Sequence, residues 1–390
     1  MSFIIKEISE EYVSSSLKEV GFDASYVSKA SWKYHFRLLK IFSLTPQQAS
    51  ILKQTALSVG ADCAVHREVI TCKVEKSDIV LGATISQIRA IAQKLKSQPF
   101  SLGKLANTLI EGVERSKIPF EIRGESFDWS KTYLMGILNI TPDSFSDGGK
   151  YLSLADATEQ AKKLAQTADI IDIGGESTRP GAKIVSTQEE IKRVCPVITS
   201  IRDNGIDIPI SIDTRNAETA RQAILAGADV VNDVSGGVWD PGMVDVVAEF
   251  QTPFILMHSL GSPDIMQENP SYEKVVDEVY LDLESKISNA VQRGVCKEKI
   301  IIDIGIGFGK TPENNFELLQ RIGEFKSLGC PLLVGVSRKS FMSSVIELDD
   351  EQKDACSLAL GACLANLGVD ILRVHNPWFY QKPLMIIDKI

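Results

Sequence analysis

Eight times between residues 133 and 376, a short apolar, β-branched run ends in small or polar residues and gives way to a segment of helical periodicity. The runs are YLMGILNIT (133–141), DIIDIGGE (169–176), PISIDT (209–214), DVVNDVSG (229–236), PFILMHS (253–259), IIIDIGIG (300–307), PLLVGVSRKS (331–340) and ILRVHN (371–376). Amphipathic helices are read between them, among them 153–168, 187–205, 216–228 and 355–368. Near-continuous apolar strands alternating with helices require a parallel sheet covered on its outer face. Eight such units in about 270 residues match a closed (β/α)8 barrel. A doubly wound open sheet is the alternative, and the count argues for closure. Just before the first unit, FEIRGESFDW (120–129) alternates apolar and polar residues around a glycine and reads as a hairpin plugging the barrel's N-terminal end.

The first part of the chain lacks this rhythm, so the reading is a small separate α/β domain over 1–117, of unassigned role, followed by the barrel over 118–390. Within it, 35–44, 63–75 and 78–84 read as strands, and 45–60 and 85–98 as helices. Cys63 and His66 are read as strand residues of that small sheet. A net charge of −9 implies no general affinity for nucleic acid or an anionic membrane, so a bound anion needs a local cluster of cations. No run approaches the roughly 20 apolar residues of a membrane span, and the start MSFIIKEISEEYVSSS lacks a signal-peptide core. Seven cysteines without a CxxC pair fit reduced thiols in the cytoplasm.

In such a barrel the strand interiors pack the core, while the C-terminal tips and the loops after them form the site. The tips carry Asn139, Asp172, Asp213, Asn232 with Asp233, His258, Asp303, the Ser337-Arg338-Lys339-Ser340 stretch, and Arg373 with His375. Burial alone does not call for a charged or amide group at every tip. Asp213, Asn232, Asp303 and Lys339 suit a deep polar pocket, in which a carboxylate takes two N–H bonds from a planar amidine-like edge. Asn139, Arg373 and His375 lie on the first and last strands, which adjoin on closure. A cation, an imidazole and a side-chain carbonyl able to hold Mg2+ suit a diphosphate.

The stretch IIIDIGIGFGKT (300–311) looks like a phosphate loop, yet Ile304 stands where a Walker loop needs its first glycine, and Lys310 stands where a dinucleotide loop needs its last. It is read instead as the sixth barrel strand, with Asp303 at the tip and Phe308 placed to stack on an aromatic substrate. TPDSFSDGGKY and GGESTRPGAK, after strands one and two, are read as mobile loops that close over the reacting centre and deliver Asp147 or Arg179.

Taken in order, GILNITPDSFSDGG, DIGGESTRPGA, SIDT, VNDVSGG, LMHSLGSPDIMQ, GIGFGK, VGVSRKS and LRVH resemble the dihydropteroate synthase family over residues 120–390. The resemblance implies a TIM barrel that condenses 6-hydroxymethyl-7,8-dihydropterin diphosphate with 4-aminobenzoate in folate biosynthesis, releasing diphosphate. By position it assigns Asp213, Asn232, Asp303 and Lys339 to the pterin, and Asn139, Arg373 and His375 to the diphosphate, with Mg2+ at Asn139. It assigns Phe145, Pro180, Phe308 and Ser340 to aminobenzoate, and Asp147, Thr178, Arg179 and Lys339 to catalysis. A homodimer formed through late barrel helices is implied as well. The chain departs from the family at Ile304, where proline is common, at Asn376, where aspartate is usual, and at the fifth tip, which lacks a second methionine. The alternatives are a methyltetrahydrofolate-binding methyltransferase, which would not need SRKS or STRPG, and a non-catalytic pterin-binding protein.

Overall fold

The computed structural model describes residues 3–114, 117–140, 154–176, 185–261 and 270–389. The chain divides into two compact units, Met1–Ser116 and Lys117–Ile390.

In the first unit, the strands Phe36–Leu44, Asp62–Ala64 and Ser77–Thr84 form an antiparallel sheet with Ser77–Thr84 in the middle. That strand buries Ile79, Leu81 and Ala83 in strict alternation, so one face of the sheet is committed to the core. The helices Pro46–Leu57, Ile85–Leu95 and Leu102–Glu114 contribute Leu52, Ile88, Ile91, Leu95 and Leu102 to the same core. Two of these helices start at threonines, Thr45 and Thr84, whose capping boxes with Gln48 and Gln87 satisfy amides left open at a helix start. The strand expected across 63–75 stops at Ala64. His66 Nδ1 accepts from the Glu68 amide and Thr71 Oγ1 donates to the Glu68 carbonyl, so local bonds fold this stretch into the short 3-10 turn Arg67–Val69.

In the second unit, eight parallel strands close a barrel: Tyr133–Asn139, Ile170–Gly174, Ile210–Asp213, Val230–Asp233, Phe254–Met257, Ile300–Asp303, Leu332–Val334 and Ile371–Val374. Closure occurs where the eighth strand pairs with the first, Arg373 lying opposite Met135. Outward-facing Ile171, Ile173, Ile210 and Ile212 pack with Val194, Ile198 and Ile201 of the helix Thr187–Asp203. Inside, Met135, Ile170, Val230, Ile255, Ile301, Leu333 and Ile371 form an apolar floor. The hairpin Phe120–Ile122/Glu125–Phe127 closes that floor from below, with Ile122 and Phe127 in the same cluster and the Phe127 ring 4.6 Å from Tyr133.

Three aspartates stitch this lower end. Asp169, Asp229 and Asp370 each stand just before an even-numbered barrel strand and accept the amide of Leu134, Ile210 or Leu332 on the preceding strand. Each also meets a cation: Lys131 at 3.0 Å, Arg202 at 2.6 Å, and Lys117 respectively. A carboxylate that takes both an edge amide and a cation satisfies groups a closed sheet would otherwise strand.

The plug bears on stability, far from the chemical end of the strands. Phe127→Ala is expected to lower unfolding free energy by about 3 kcal/mol through cavity formation. Urea denaturation checks it, and an unchanged unfolding midpoint would contradict it.

Candidate active site

Side chains alternate sides along a strand, so two residues beyond the apolar floor the chain faces inward again. At that level the second, third, fourth, sixth and eighth strands present Asp172, Asp213, Asn232, Asp303 and Arg373. The seventh strand leads to Gly335, whose missing side chain leaves room beside Arg373. The barrel thus switches from a dry floor to a polar layer within one strand repeat.

Arg373 is the centre of that layer. Its Nε donates to Asp172 Oδ2 at 2.6 Å, and its Nη2 donates to Asp213 Oδ2 at 2.6 Å. Asn232 Nδ2 donates to the two oxygens of Asp172 at 3.4 and 3.2 Å. Burial opposes the Arg373 charge, but Asp172 and Asp213 outweigh it and hold the guanidinium charged. Burial also pushes the Asp213 carboxyl up to about 7, with Arg373 pulling it down and Asp172 pushing it further up. The sequence divides these residues into a pterin set and a diphosphate set; the structure joins the two sets at Arg373. Asp172, noted only as a tip, proves to be the fully buried anchor of the cation.

The loop after strand six forms a second wall. Asp303, buried, accepts the Gly305 amide at 2.7 Å, and burial raises its pKa against that bond and the nearby Lys339. Lys339 Nζ stands 4.2 Å from the centre of the Phe308 ring, a cation–π pair. Burial and Arg373 lower the Lys339 pKa to about 8, with Asp303 opposing. Arg338 takes a left-handed backbone conformation (φ 56°) and turns outward to a bidentate pair with Asp354, both bonds 2.6 Å, which leaves Lys339 facing the mouth. Ser340 is exposed at the start of the 3-10 helix Ser340–Ser344.

At the junction of first and last strands, Asn139 ends strand one, its Oδ1 lying 3.5 Å from where a Cβ on Gly174 would sit. His375 follows strand eight. Its backbone amide donates to Ser337 Oγ at 3.3 Å, and its Nδ1 lies 3.0 Å from that oxygen, so Ser337 orients the imidazole. Asn376, next along the chain, stands at the start of the helix Pro377–Ile387. Phe145, Asp147, Thr178, Arg179 and Pro180 lie outside the described residues. The flanks of the second loop are described: Glu176 binds Arg215 through two bonds of 2.9 and 3.0 Å and accepts the Val185 amide at 2.9 Å.

One further buried group, beside the His258 tip, was given no role by the sequence reading. Lys310 is 3% exposed, and its ammonium reaches His258 Nδ1 at 2.9 Å. Its place in GFGK was the available signal, and spacing alone could not show that it turns inward. Among the described residues no group of three His, Cys, Asp or Glu side chains is placed to hold a metal ion.

The raised pKa of Asp213 makes stability depend on pH with a definite sign. Its folded-state value of about 7 exceeds the ordinary 3.8, so the folded chain keeps a proton that the unfolded chain loses. Wild-type stability from this group therefore falls as pH rises between those values. Asp213→Asn cannot titrate, so its stability relative to wild type should rise by about 3 kcal/mol between pH 5 and pH 8. Urea melts at pH 5 and pH 8 measure this, and an equal difference at both values would contradict it.

Comparison with known proteins gives this geometry a family. A model described as pterin binding enzyme matches residues 135–375. The dihydropteroate synthase of Synechocystis sp. is 48% identical over 261 residues, 66% of this chain and 90% of that protein. A Halobacterium salinarum protein described as a probable bifunctional folylpolyglutamate synthase/dihydropteroate synthase is 44% identical over 331 residues. That match takes in 85% of this chain, more than the barrel unit supplies, while the chain spans 40% of the length of that relative. A solved structure of the Xanthomonas albilineans dihydropteroate synthase with 4-aminobenzoic acid superposes with a TM-score of 0.64 at 37% identity, covering 70% of this chain and 97% of that one. A barrel with this inward polar layer, sharing nearly half its sequence with the Synechocystis enzyme, belongs to the pterin-binding enzymes and, among them, to the dihydropteroate synthases.

Proposed function

We propose that the chain joins 6-hydroxymethyl-7,8-dihydropterin diphosphate to 4-aminobenzoate, giving 7,8-dihydropteroate and diphosphate. The observation that carries this reading is the polar layer of Asp172, Asp213, Asn232, Asp303 and Arg373 above a dry floor. Such a layer suits a flat heterocycle rich in N–H donors and ring acceptors, which carboxylates and an amide grip edge-on. Asp213, Asn232, Asp303 and Lys339 hold the pterin. Asn139, Arg373 and His375 face the diphosphate, and Phe308, Lys339 and Ser340 place the aminobenzoate, with Phe145 and Pro180 closing from the two loops.

The reaction breaks the bond between the exocyclic carbon and the diphosphate oxygen, and the electron pair leaves with the oxygen. The aminobenzoate nitrogen then supplies the pair for the new C–N bond and gives up a proton. No nucleophile–base pair of the covalent kind is needed. The residues act electrostatically: Arg373, Lys339 and Arg179 lower the cost of the departing anion, while Asp147 steadies the transient pterin cation or takes the amine proton. Thr178 completes the cover that keeps water out.

Mg2+ fits this site as a partner of the substrate. Asn139 supplies a hard carbonyl oxygen, and no acidic cluster among the described residues competes for the ion. Asn139 would hold an ion carried in largely by the diphosphate, whose charge it would neutralise. The last helix exposes Trp378, Phe379, Met385 and Ile386 on one stripe, 44–66% accessible each. We read this stripe, with the helix Asp350–Asn366 beside it, as the homodimer face. No helix of the described residues is long and apolar enough to cross a membrane, and the proposed place of work is the cytoplasm.

A diphosphate-release assay with dihydropterin diphosphate, aminobenzoate and Mg2+ tests the proposal; pterin binding without release would turn the assignment toward a non-catalytic binding protein. Asp303→Asn should weaken pterin binding by about 30-fold, the worth of a charged hydrogen bond, read by calorimetry. Ile386→Asp should shift the protein toward monomer in sedimentation, and an unchanged dimer would clear that stripe of the role.

A further inference from the structure

The lysine of the GFGK stretch has no place in the reaction as proposed, and the structure shows where it goes. The ammonium of Lys310 turns into the barrel wall and meets three close acceptors, His258 Nδ1 at 2.9 Å, the Gly305 carbonyl at 2.9 Å and the Phe308 carbonyl at 3.0 Å, with the His258 carbonyl further off at 3.4 Å. An ammonium has three protons, so these contacts use all of them. His258 ends strand five, and its amide donates to the Asp303 carbonyl at 3.0 Å, so the cage spans two adjacent strands. The imidazole is neutral: burial, then the Lys310 and Lys286 charges, bring its pKa down to about 2, leaving Nδ1 as a lone-pair acceptor. Burial lowers the pKa of Lys310 itself to about 7, with Asp303 the main opposing charge. A cation this deep persists only where its contacts replace water.

The cage sits under the turn that carries Phe308. Gly305 and Gly309 take positive φ of 65° and 61°. A side chain on Gly305 would collide with the His258 carbonyl, and one on Gly309 would come within 2.7 Å of Leu260. The Phe308 amide donates to the Gly305 carbonyl at 3.1 Å, and Lys310 grips the carbonyls at both of those positions. Tyr272 Oη holds the Gly309 carbonyl and Asn315 Oδ1 the Gly307 amide, each at 2.8 Å. Asp303 feels the lysine through charge only, and the strand register and the Gly305 amide hold it in place.

We propose that Lys310 is a positioning residue for the second substrate: its ammonium, caged by His258 and the Gly305 and Phe308 carbonyls, sets the turn that holds the Phe308 ring beneath Lys339. The inference rests on the reading of Phe308 and Lys339 as the aminobenzoate wall. It separates two roles within one loop, since the pterin carboxylate is held by the strand and the aromatic wall by the buried lysine.

The test uses Lys310→Met, His258→Leu and His258→Asn in the full chain. Asparagine puts its carbonyl oxygen near the position of Nδ1 and keeps the acceptor, whereas leucine removes it. In Lys310→Met and His258→Leu, hydrogen exchange over residues 304–310 should rise about tenfold, as expected when a charged hydrogen bond is lost. KM for aminobenzoate should rise by a similar factor, clearly more than pterin affinity falls. His258→Asn should restore both readouts most of the way. Unchanged exchange in Lys310→Met, equal losses for both substrates, or His258→Asn as impaired as His258→Leu would overturn the inference. If Lys310→Met does not fold, the two His258 variants carry the same comparison. The exchange measurement needs no turnover, so a chain without synthase activity would end the functional reading while the cage is still judged on its own.

Discussion

A guanidinium held between two buried carboxylates governs the chemical end of this barrel. Arg373 comes from the last strand, Asp172 and Asp213 from the second and third, so their contacts tie together strands far apart in sequence. Each partner alone would be an expensive occupant of a barrel interior. Together they make a rigid cluster whose orientation is fixed before any ligand enters. Removing one carboxylate is therefore a different event from removing the cation, because Arg373 keeps a second partner while Asp172 and Asp213 would be left facing each other. Preorganisation of this kind is what electrostatic catalysis requires: the groups meeting the departing charge should not have to move.

The same alternation that builds the fold delivers the cluster. Along one strand, Ile170 belongs to the floor and Asp172 to the site; along another, Ile301 and Asp303 do the same; along the last, Ile371 and Arg373. A one-residue slip would turn every functional group into the helical layer. The lower end guards against slippage, because Asp169, Asp229 and Asp370 each lock an amide at the start of a neighbouring strand. Stability at one end and chemistry at the other are thus two consequences of a single register.

This explains what could be read from the chain and what could not. The eight apolar runs, their polar tips and the hairpin at 120–129 are local patterns, and periodicity exposes local patterns well. The contact from Arg373 to Asp172 crosses 201 positions, and no spacing rule reports a distance across a barrel. Grouping residues by neighbouring strands consequently assigned Arg373 to the diphosphate alone. The strand expected over 63–75 shows the converse limit: its β-branched and apolar residues suit a strand, but Glu68, Thr71 and His66 bond locally and win. Lys310 is legible as unusual in GFGK, yet only coordinates reveal a side chain that turns away from solvent. Ile304 is a further case. Where the family resemblance leads one to expect a proline, this chain buries the isoleucine completely, and Lys310, Tyr272 and Asn315 hold the loop.

Charge balance sets the remaining constraint. The chain carries −9 overall, so its field repels a diphosphate ester at long range. Three buried carboxylates in the polar layer add to that repulsion unless they are offset. Arg373 and Lys339 offset two of them, and the upward push on Asp213 neutralises part of the third. With Asp213 near 7 and Lys339 near 8, the empty site sits close to a protonation boundary. An arriving diphosphate favours the charged lysine, and a pterin edge that donates to Asp213 favours the carboxylate. Each part of the proposed first substrate thereby favours the charge state that the other part needs.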